Sequence, residues 1–438
     1  MTGEISRLTF PGLVGLPLPY CRGSVRSRIY FFDKHIAILR FGNIISSMFK
    51  NISIIGDGGM GSVLAMLLCE KGIATRMWGY DRQQLEQIEK NRENKKFLPG
   101  YKMPRELVFE ADDQCIMAGA DLIVSAVPCQ FMRGVWNRLK DYVPQGVPIV
   151  SVAKGIENDT LLRPTQILAE ILDEKQETRD EGRGTRDEGR ETRDEGRETR
   201  DEGRETRDEG RGTRDEGRGT RDEGRGTKDE GRWTRFAVLS GPTIADELAR
   251  RLPATACAAA KDEPLAKEIQ HTFSDGVPWL RVYTNTDIVG VELAGAMKNI
   301  IAIAAGIIDG TGAGDNAKAA LLTRGLAEIT RLGVRMGARE QTFAGLTGLG
   351  DLVTTCISPK GRNRSFGERV GKGQTAEQAQ RATESVVEGF ATCKSVVALA
   401  ERYNVEMPIT QAVYEVLFEN KPVRTAIEAL MKRQLKAE

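Results

Sequence analysis

The 438-residue chain is poor in histidine and has no paired cysteines. It contains two histidines, and because histidine is the commonest general base, an enzyme built on this chain needs another residue for proton transfer. The cysteines are scattered, with no CxxC pair and no close histidine, which argues against a zinc site or a disulfide framework. We therefore expect no metal and a reducing, cytoplasmic location. The seven cysteines are Cys21, Cys69, Cys115, Cys129, Cys257, Cys356 and Cys393.

The chain also lacks an excess of either charge. Its 63 Lys and Arg residues nearly balance 62 Asp and Glu residues, which gives a formal net charge of +1. Without a global basic field, the composition favours neither nucleic acid nor an anionic membrane as a partner. An anionic ligand must then be held by a local site. The length is sufficient for two or three domains of roughly 100–200 residues each.

Two segments do not fit a globular pattern. Residues 1–47 have no clear hydrophobic period and no apolar block followed by a small-residue cleavage site, so we interpret them as a nonessential extension rather than a signal peptide. Residues 178–233 consist of eight seven-residue units of the type TRDEGR. Each unit contains glycine and offers no apolar seam, so it predicts a solvated, disordered insertion in a surface connection rather than a coiled coil. Transient helix is the alternative.

The remaining sequence begins as alternating strands and helices. Apolar runs such as ISII, DLIVSAVP, PIVSVAKG, AVLSGP and ATACAAA read as buried strands, with helical stretches between several of them. This alternation predicts a doubly wound parallel sheet of the Rossmann type. Strand signals stop after Tyr283, and helices follow. We predict an α/β domain over 48–285, interrupted by the insertion, and an all-α domain over 286–438.

A glycine-rich turn follows the first strong strand. The sequence GDGGMG places Gly56, Gly58 and Gly61 at GxGxxG spacing between a strand and a helix. Such glycines allow a tight turn and let the backbone approach a pyrophosphate, whose charge the helix N-terminus stabilises. The next strand ends in WGYDR, where Asp81 lies slightly beyond the usual acidic position and Arg82 could meet a 2′-phosphate. The sequence therefore predicts a dinucleotide site without choosing between NAD and NADP.

One cation stands out in the helical half. The segment from Val291 to Ile308 is almost wholly apolar and as long as a membrane span, but it contains Glu292, Lys298 and Asn299. A charge at the centre of a bilayer is costly, so a buried core helix is the better interpretation. Burial lowers the pKa of a lysine toward the range useful for acid–base chemistry. We predict that Lys298 transfers the proton; snorkelling to the surface is the alternative.

Two further segments are suited to anions. Lys154, in AKG, follows a strand at the edge where open α/β sheets bind ligands. Asp351 and Arg362 lie in GLGDLVTTCISPKGRNRSFG, which we interpret as a glycine-rich loop. Arginine is suited to bidentate phosphate contacts, and Asn363 can donate beside it. A solvated turn at RNR is the alternative.

These segments together resemble bacterial NAD(P)-dependent glycerol-3-phosphate dehydrogenase. The resemblance runs from about Phe49 to the C-terminus except for the repeat, through motifs that include FLPG, SGPTIADEL, ELAGAMKNIIAIAAGI, NAKAALLTRGLAE and EMPIT. It implies a Rossmann domain joined to a helical domain, a small phosphorylated substrate, NAD or NADP as cofactor, and a contribution to phospholipid synthesis. The resemblance leaves a homodimer open.

The resemblance also implies roles for individual positions. Lys298 matches the catalytic lysine, and Lys154 matches a lysine that contacts both cofactor and substrate. The other substrate-contacting positions are Gly241, Thr243, Asp351, Gly361, Arg362 and Asn363. Besides the fingerprint glycines, the cofactor-contacting positions are Gly59, Met60, Tyr80, Ala245, Arg362, Val386 and Glu388. The family often has serine and an aromatic residue where this chain has Gly59 and Met60, and serine in place of Gly361.

Two other functions are compatible with the same architecture. One is a related dehydrogenase acting on an unphosphorylated hydroxy acid, because the fold alone does not fix the substrate. The other is a non-catalytic nucleotide-binding protein, in which the long insertion has disabled turnover.

Overall fold

The computed structural model describes residues 49–172, 235–383 and 386–434, together with the backbone of 30–32 and 35–37. The 178–233 repeat lies outside the described residues, as does most of the 1–47 extension, so the expectations for both stay predictions. The chain divides into two units, Met1–Ser46 and Ser47–Glu438. In the first unit the backbone forms an antiparallel hairpin of β1 (Tyr30–Phe32) and β2 (His35–Ala37).

The second unit contains an eight-stranded sheet in the order β10-β9-β8-β7-β6-β3-β4-β5. Strands β3 to β8 are parallel, and the order β5-β4-β3-β6-β7-β8 is that of a dinucleotide-binding Rossmann sheet. The fold class predicted from the alternating pattern is therefore confirmed. The strands are β3 (Asn51–Ile55), β4 (Ala74–Trp78), β5 (Val108–Phe109), β6 (Leu122–Ser125), β7 (Ile149–Ser151), β8 (Phe236–Ser240), β9 (Ala254–Ala260) and β10 (Leu280–Asn285).

One edge of the sheet departs from the predicted parallel arrangement. Strand β9 pairs with β8 antiparallel, in the register Ser240↔Cys257, and β10 continues parallel to β9. The physical reason is that the connection between Ser240 and Ala254 is short. It contains one helix of five residues, which is too short to cross the sheet and start a parallel strand, so β9 runs antiparallel to β8. The run ATACAAA is a strand as predicted, but the predicted parallel direction of this strand was wrong.

Helices cover both faces of the sheet and then continue alone. The helices around the sheet are α1 (Gly59–Glu70), α2 (Arg82–Asn91), α3 (Asp113–Met117), α4 (Cys129–Leu139), α5 (164–172), α6 (Ala245–Ala249) and α7 (Glu263–Ser274). The later helices are α8 (Ile288–Thr311), α9 (Asp315–Arg335), α10 (Glu340–Ala344), α11 (Asp351–Ile357), α12 (Arg362–Gly371), α13 (Ala376–Arg381), α14 (Glu388–Arg402), α15 (Pro408–Phe418) and α16 (Val423–Met431). The proposed boundary at 285/286 falls just before the N-cap of α8, Asp287.

Helix α8 is the centre of the helical region. It is long and apolar enough to span a membrane, yet its apolar window is completely buried inside the protein, against α9, α11, α12 and α14. The core-helix interpretation is therefore confirmed. Lys298 is only 5% exposed, so the alternative of snorkelling to the surface was wrong.

Glycines bring α12 unusually close to α8. A Cβ at Gly306 would collide with the carbonyl oxygen of Arg364, and a Cβ at Gly367 would collide with the carbonyl oxygen of Ile303. The two backbones therefore touch directly. This contact places the beginning of α12, with Arg362 and Asn363, beside the middle of α8.

The segment around Asp351 is helical, which corrects the prediction of a glycine-rich loop. A π-helical turn over Leu346–Gly350 leads directly into α11, whose first residue is Asp351. The glycines serve close packing instead: a Cβ at Gly348 would collide with the backbone of Phe343. A loop remains only between Ile357 and Arg362, and the RNR sequence begins α12 rather than a solvated turn.

Candidate active site

Asp351 bridges the two lysines that the sequence singled out. Its Oδ1 lies 3.0 Å from Nζ of Lys298, and its Oδ2 accepts a 2.7 Å hydrogen bond from Nζ of Lys154. The ammonium of Lys154 also donates to the carbonyl oxygen of Gly241 at 2.9 Å. The contacts join helices α8 and α11 to the ends of β7 and β8, at the carboxyl edge of the parallel strands. Ligands of open α/β sheets bind at this edge.

Burial and charge set the protonation of this cluster. Burial lowers the pKa of Lys298, with Lys154 adding repulsion, while the Asp351 carboxylate opposes the shift. Burial by itself would raise the pKa of Asp351, but Lys154 and Lys298 together hold it below its usual value. Asp351 is therefore a fixed anion, and Lys298 is a cation from which a proton is removed more readily than from a lysine in water. This combination is suited to proton transfer.

Thr355 is part of the cluster, and the sequence reasoning missed it. Its Oγ1 accepts a hydrogen bond from Nζ of Lys298 at 2.5 Å and donates to Oδ1 of Asp351 at 3.3 Å. It lies one helical turn after Asp351 on α11 and therefore on the same face. The spacing of four residues between Asp351 and Thr355 would have indicated that the two side chains share a face if the segment had been predicted to be helical.

Three buried polar atoms close to the lysines have no hydrogen-bond partner within the described residues: Ser240 Oγ, Asn299 Nδ2 and Thr392 Oγ1. A Cβ at Gly295, beside Lys154, would lie 3.0 Å from Ser240 Oγ. Asn299 follows Lys298 on α8. A buried polar atom without a partner is destabilising, so such a group calls for a polar ligand. The sequence analysis gave none of the three a role.

The residues predicted to bind an anion lie where α12 begins. Gly361 is the N-cap of this helix, and Arg362 is its exposed first residue. Asn363 is buried; its Nδ2 donates to Oδ1 of Asn299 at 3.0 Å, and its Oδ1 accepts from the backbone N–H of Gly389 at 3.0 Å. A helix N-terminus with an adjacent exposed arginine is suited to a phosphate.

Glu388 and Val386 lie at the start of α14. Burial raises the pKa of Glu388, an effect opposed by the positive charges of Arg362, Lys154 and Lys298. Glu388 is thus coupled electrostatically to the lysine cluster. Val386 is 40% exposed and lies two residues before it.

The glycine turn has the form that a dinucleotide requires. Gly56 has φ +117°, and a Cβ there would lie 2.7 Å from the carbonyl oxygen of Ala126. A Cβ built on Gly61 would collide with the backbone of Gly56. A Cβ built on Gly58, the N-cap of α1, would have no neighbouring atom within 4 Å. No side chain caps α1, and its first turn contains no acidic residue. Open space in front of uncapped N–H groups fits a pyrophosphate.

Four further predicted cofactor residues lie in the first turn of α1, at the start of α6 and just after β4. Gly59 is the first residue of α1 and faces Ala245 at the start of α6. A Cβ built on Gly59 would lie 3.6 Å from the Cβ of Ala245. Met60 packs against the core of the sheet. Tyr80 is 69% exposed, and its ring meets that of Trp78 edge-on at 6.4 Å.

The sheet continues from this turn toward the lysines. Ala126 packs on Gly56, and Cys129 packs on Gly155, where a built Cβ would lie 2.8 Å from the Cys129 Cβ. Gly155 adjoins Lys154. On the far side, Gly241 has φ +138°, and Thr243 Oγ1 donates to its carbonyl oxygen at 3.1 Å. The glycine turn and the lysine cluster are therefore two ends of one continuous edge.

Comparisons with known proteins agree with this arrangement. Residues 51–179 match the family model for the N-terminus of NAD-dependent glycerol-3-phosphate dehydrogenase, and residues 287–428 match the model for its C-terminus. Curated relatives named glycerol-3-phosphate dehydrogenase [NAD(P)+] include those of Syntrophotalea carbinolica, 39% identical over 388 residues, and of Geobacter sulfurreducens, 39% identical over 391 residues. Both alignments cover 89% of this chain and 99% of the relative.

A solved structure supports the same assignment. The crystal structure of glycerol-3-phosphate dehydrogenase from Coxiella burnetii is 30% identical, covers 88% of this chain and 99% of its own, and gives a TM-score of 0.72. The similarity to this family thus extends over both the sequence and the fold. The chain belongs to the NAD(P)-dependent glycerol-3-phosphate dehydrogenase family of oxidoreductases.

Proposed function

We propose that the chain interconverts dihydroxyacetone phosphate and sn-glycerol 3-phosphate with NAD(P)H or NAD(P)+, in the cytoplasm, and so supplies the backbone of phospholipids. The observation that carries this proposal is the Asp351 carboxylate held between Lys298 and Lys154 at the sheet edge that continues to the glycine turn. A homodimer and a functional division at 285/286 are further parts of the proposal.

The cofactor has a binding surface of suitable chemistry. Gly56, Gly58 and the uncapped N–H groups of α1 would hold the pyrophosphate, and Tyr80 would lie by the adenosine. The nicotinamide would extend toward Lys154. When bound, the nicotinamide supplies or accepts the hydride at C2 of the substrate.

Proton transfer takes place at the lysine cluster. During reduction of the ketone, Lys298 donates a proton to the oxygen that becomes the C2 hydroxyl; during oxidation, neutral Lys298 removes that proton. Lys154 polarises the same oxygen, and Asp351 with Thr355 fixes the direction of the Lys298 ammonium. Arg362 and Asn363 at the N-terminus of α12 would bind the phosphate.

The proposal is tested by following oxidation of NADH and NADPH with and without dihydroxyacetone phosphate. We expect turnover that requires this substrate and that falls about 10²–10⁴-fold in Lys298→Ala. A folded Lys298→Ala protein with near-normal turnover would remove Lys298 from the mechanism. Faster reduction of an unphosphorylated hydroxy-acid precursor would favour the related dehydrogenase, and cofactor binding without turnover would favour the non-catalytic protein.

A further inference from the structure

The carboxyl group of Asp57 occupies the space beside the end of β4. Asp57 is the second residue of the GDGGMG turn, whereas β4 ends at Trp78 and is followed by the buried Gly79. A Cβ built on Gly79 would lie 2.9 Å from Cγ and 3.0 Å from Oδ2 of Asp57. Gly79 therefore has no side chain at the place where Asp57 inserts its own.

In Rossmann folds, an acidic side chain at the end of this second strand accepts a hydrogen bond from the 2′-hydroxyl of the adenosine ribose. Asp81 is close in sequence but is engaged elsewhere, because its Oδ1 accepts from the backbone N–H of Gln84 at 3.2 Å and caps α2. The carboxyl group at this strand end thus comes from the glycine turn rather than from the strand.

The surroundings hold Asp57 in this position. Its Oδ2 accepts a 2.6 Å hydrogen bond from Nε2 of Gln84, and its carbonyl oxygen accepts a 2.7 Å hydrogen bond from Nδ2 of Asn94. Asn94 is fully buried and also donates to Oγ of Ser62 on α1. Among the described residues, the donors to the carboxylate of Asp57 are the side chain of Gln84, at Oδ2, and the backbone N–H of Asp57 itself. A carboxylate has about four acceptor sites, so a ligand hydroxyl can donate to it as well.

We propose that Asp57 determines the cofactor preference by accepting a hydrogen bond from the adenosine 2′-hydroxyl, so that the enzyme uses NAD(H) in preference to NADP(H). This inference rests on the proposed function. A 2′-phosphate would remove the hydroxyl donor and place a second anion beside the carboxylate. Burial raises the pKa of Asp57, and the charge of an adjacent phosphate would disfavour its carboxylate further.

The cations in this region are engaged in other contacts. Arg82 is largely exposed and lies 3.9 Å from the carboxylate of Glu86. Lys96 donates to Oε1 of Gln84 at 3.2 Å, and its positive charge opposes the rise in the pKa of Asp57 that burial causes. Arg138 is held by two hydrogen bonds to Asp113, at 2.6 and 2.8 Å. In the part of the chain that the structure describes, each of these three cations thus has a partner other than Asp57.

The test uses fragments that carry only the adenosine end of the cofactor. Binding of ADP-ribose and 2′-phospho-ADP-ribose is measured by isothermal titration calorimetry with the wild-type protein and with Asp57→Asn. We expect the wild type to bind ADP-ribose at least about tenfold more tightly than its 2′-phospho form, and Asp57→Asn to lose most of this ratio. Equal affinities in the wild type, a preference for the 2′-phosphate, or an unchanged ratio in Asp57→Asn would each overturn the proposal.

Asp81→Asn is the matched control, because it removes the other carboxylate at this strand end while asparagine can still cap α2. We expect this variant to retain the preference for ADP-ribose. If it loses the preference as fully as Asp57→Asn, the ratio does not depend on the Asp57 carboxylate in particular, and the proposal fails. Because the fragments lack nicotinamide, their binding does not depend on turnover. A protein that shows the expected ratio but does not reduce dihydroxyacetone phosphate would contradict the proposed function alone.

Discussion

The ammonium of Lys298 lies 3.0 Å from a carboxylate oxygen of Asp351, and the other oxygen of that carboxylate is bound to Lys154. One carboxylate is thus the ion-pair partner of a buried lysine, Lys298, and of a partly buried one, Lys154. The Asp351 charge raises the pKa of Lys298 against the lowering caused by burial. The balance between these two effects decides the pH range over which Lys298 can exchange a proton.

Replacing Asp351 with asparagine should move the pH profile of the enzyme. Glycerol 3-phosphate oxidation requires neutral Lys298, so its rate should rise with pH through the pKa of that lysine. Asp351→Asn removes the attraction that raises this pKa, and the rising limb should therefore shift to lower pH. The measurement is kcat against pH in the oxidation direction. Asp246→Asn, which removes a more exposed partner of Lys360, is the control and should leave the limb in place. A shift to higher pH would contradict the assignment.

Replacing Lys298 with methionine should separate activity from stability. Turnover should fall about 10²–10⁴-fold because proton transfer is lost. The unfolding midpoint should be equal to or higher than that of the wild type, because an apolar side chain replaces a buried cation while Asp351 keeps Lys154 as its partner. Thermal unfolding and steady-state kinetics on the same preparation test both statements. A strongly lowered midpoint would mean that the Lys298–Asp351 pair stabilises the fold.

Replacing Thr355 with valine should lower kcat more than it raises KM. Thr355 holds the Lys298 ammonium through a hydrogen bond of 2.5 Å, so it should act on the proton-transfer residue rather than on the substrate. We expect about a tenfold loss of kcat, the size expected when one hydrogen bond to a charged group is removed. Thr355→Ser keeps the hydroxyl and should restore most of the rate. Equal losses in the two variants would point to packing of the methyl group instead.

Glu292 should be a stability residue rather than a catalytic one, although it lies on the same helix as Lys298. Its buried carboxylate pairs with Arg163 and accepts 2.8 Å hydrogen bonds from the backbone N–H and from Oγ1 of Thr165, so it caps α5. Glu292→Ala leaves Arg163 without its partner and should lower the free energy of unfolding by about 3–5 kcal/mol, measured by urea denaturation. The exposed pair of Arg424 and Glu428 provides the control: Glu428→Ala should change little.

Deleting residues 178–233 should leave kcat and KM nearly unchanged. Strands β7 and β8 pair directly, in the register Ile149↔Phe236, and α5 already supplies a helix between them. The repeat therefore adds length to a connection whose closure depends only weakly on loop length. Steady-state kinetics of the deletion variant test this. A loss of turnover in a folded protein would give the repeat a functional role.

Sequence reasoning was most successful where a residue conflicted with its neighbours. Lys298 stood out because a charge in an apolar helix requires a partner. The partner geometry was not readable, because whether one carboxylate bridges two lysines depends on how α11 meets β7. Glycines misled the prediction around Asp351: they were read as a sign of a loop, yet at Gly348 the missing Cβ permits close backbone packing. Asp57 was overlooked because the space at Gly79 exists only in the folded sheet.

The contact between α8 and α12 has a consequence for how the active site tolerates change. Arg362 and Asn363 are positioned by backbone atoms of α12 that rest on backbone atoms of α8, with hydrogen atoms at Gly306 and Gly367 between them. Because this spacing is set by backbone atoms, no change of side-chain rotamer can adjust it. Even one added methyl group would push α8 and α12 apart. The position of Arg362 and Asn363 relative to Lys298 is thereby set about two helical turns away along α8, by two residues that have no side chain.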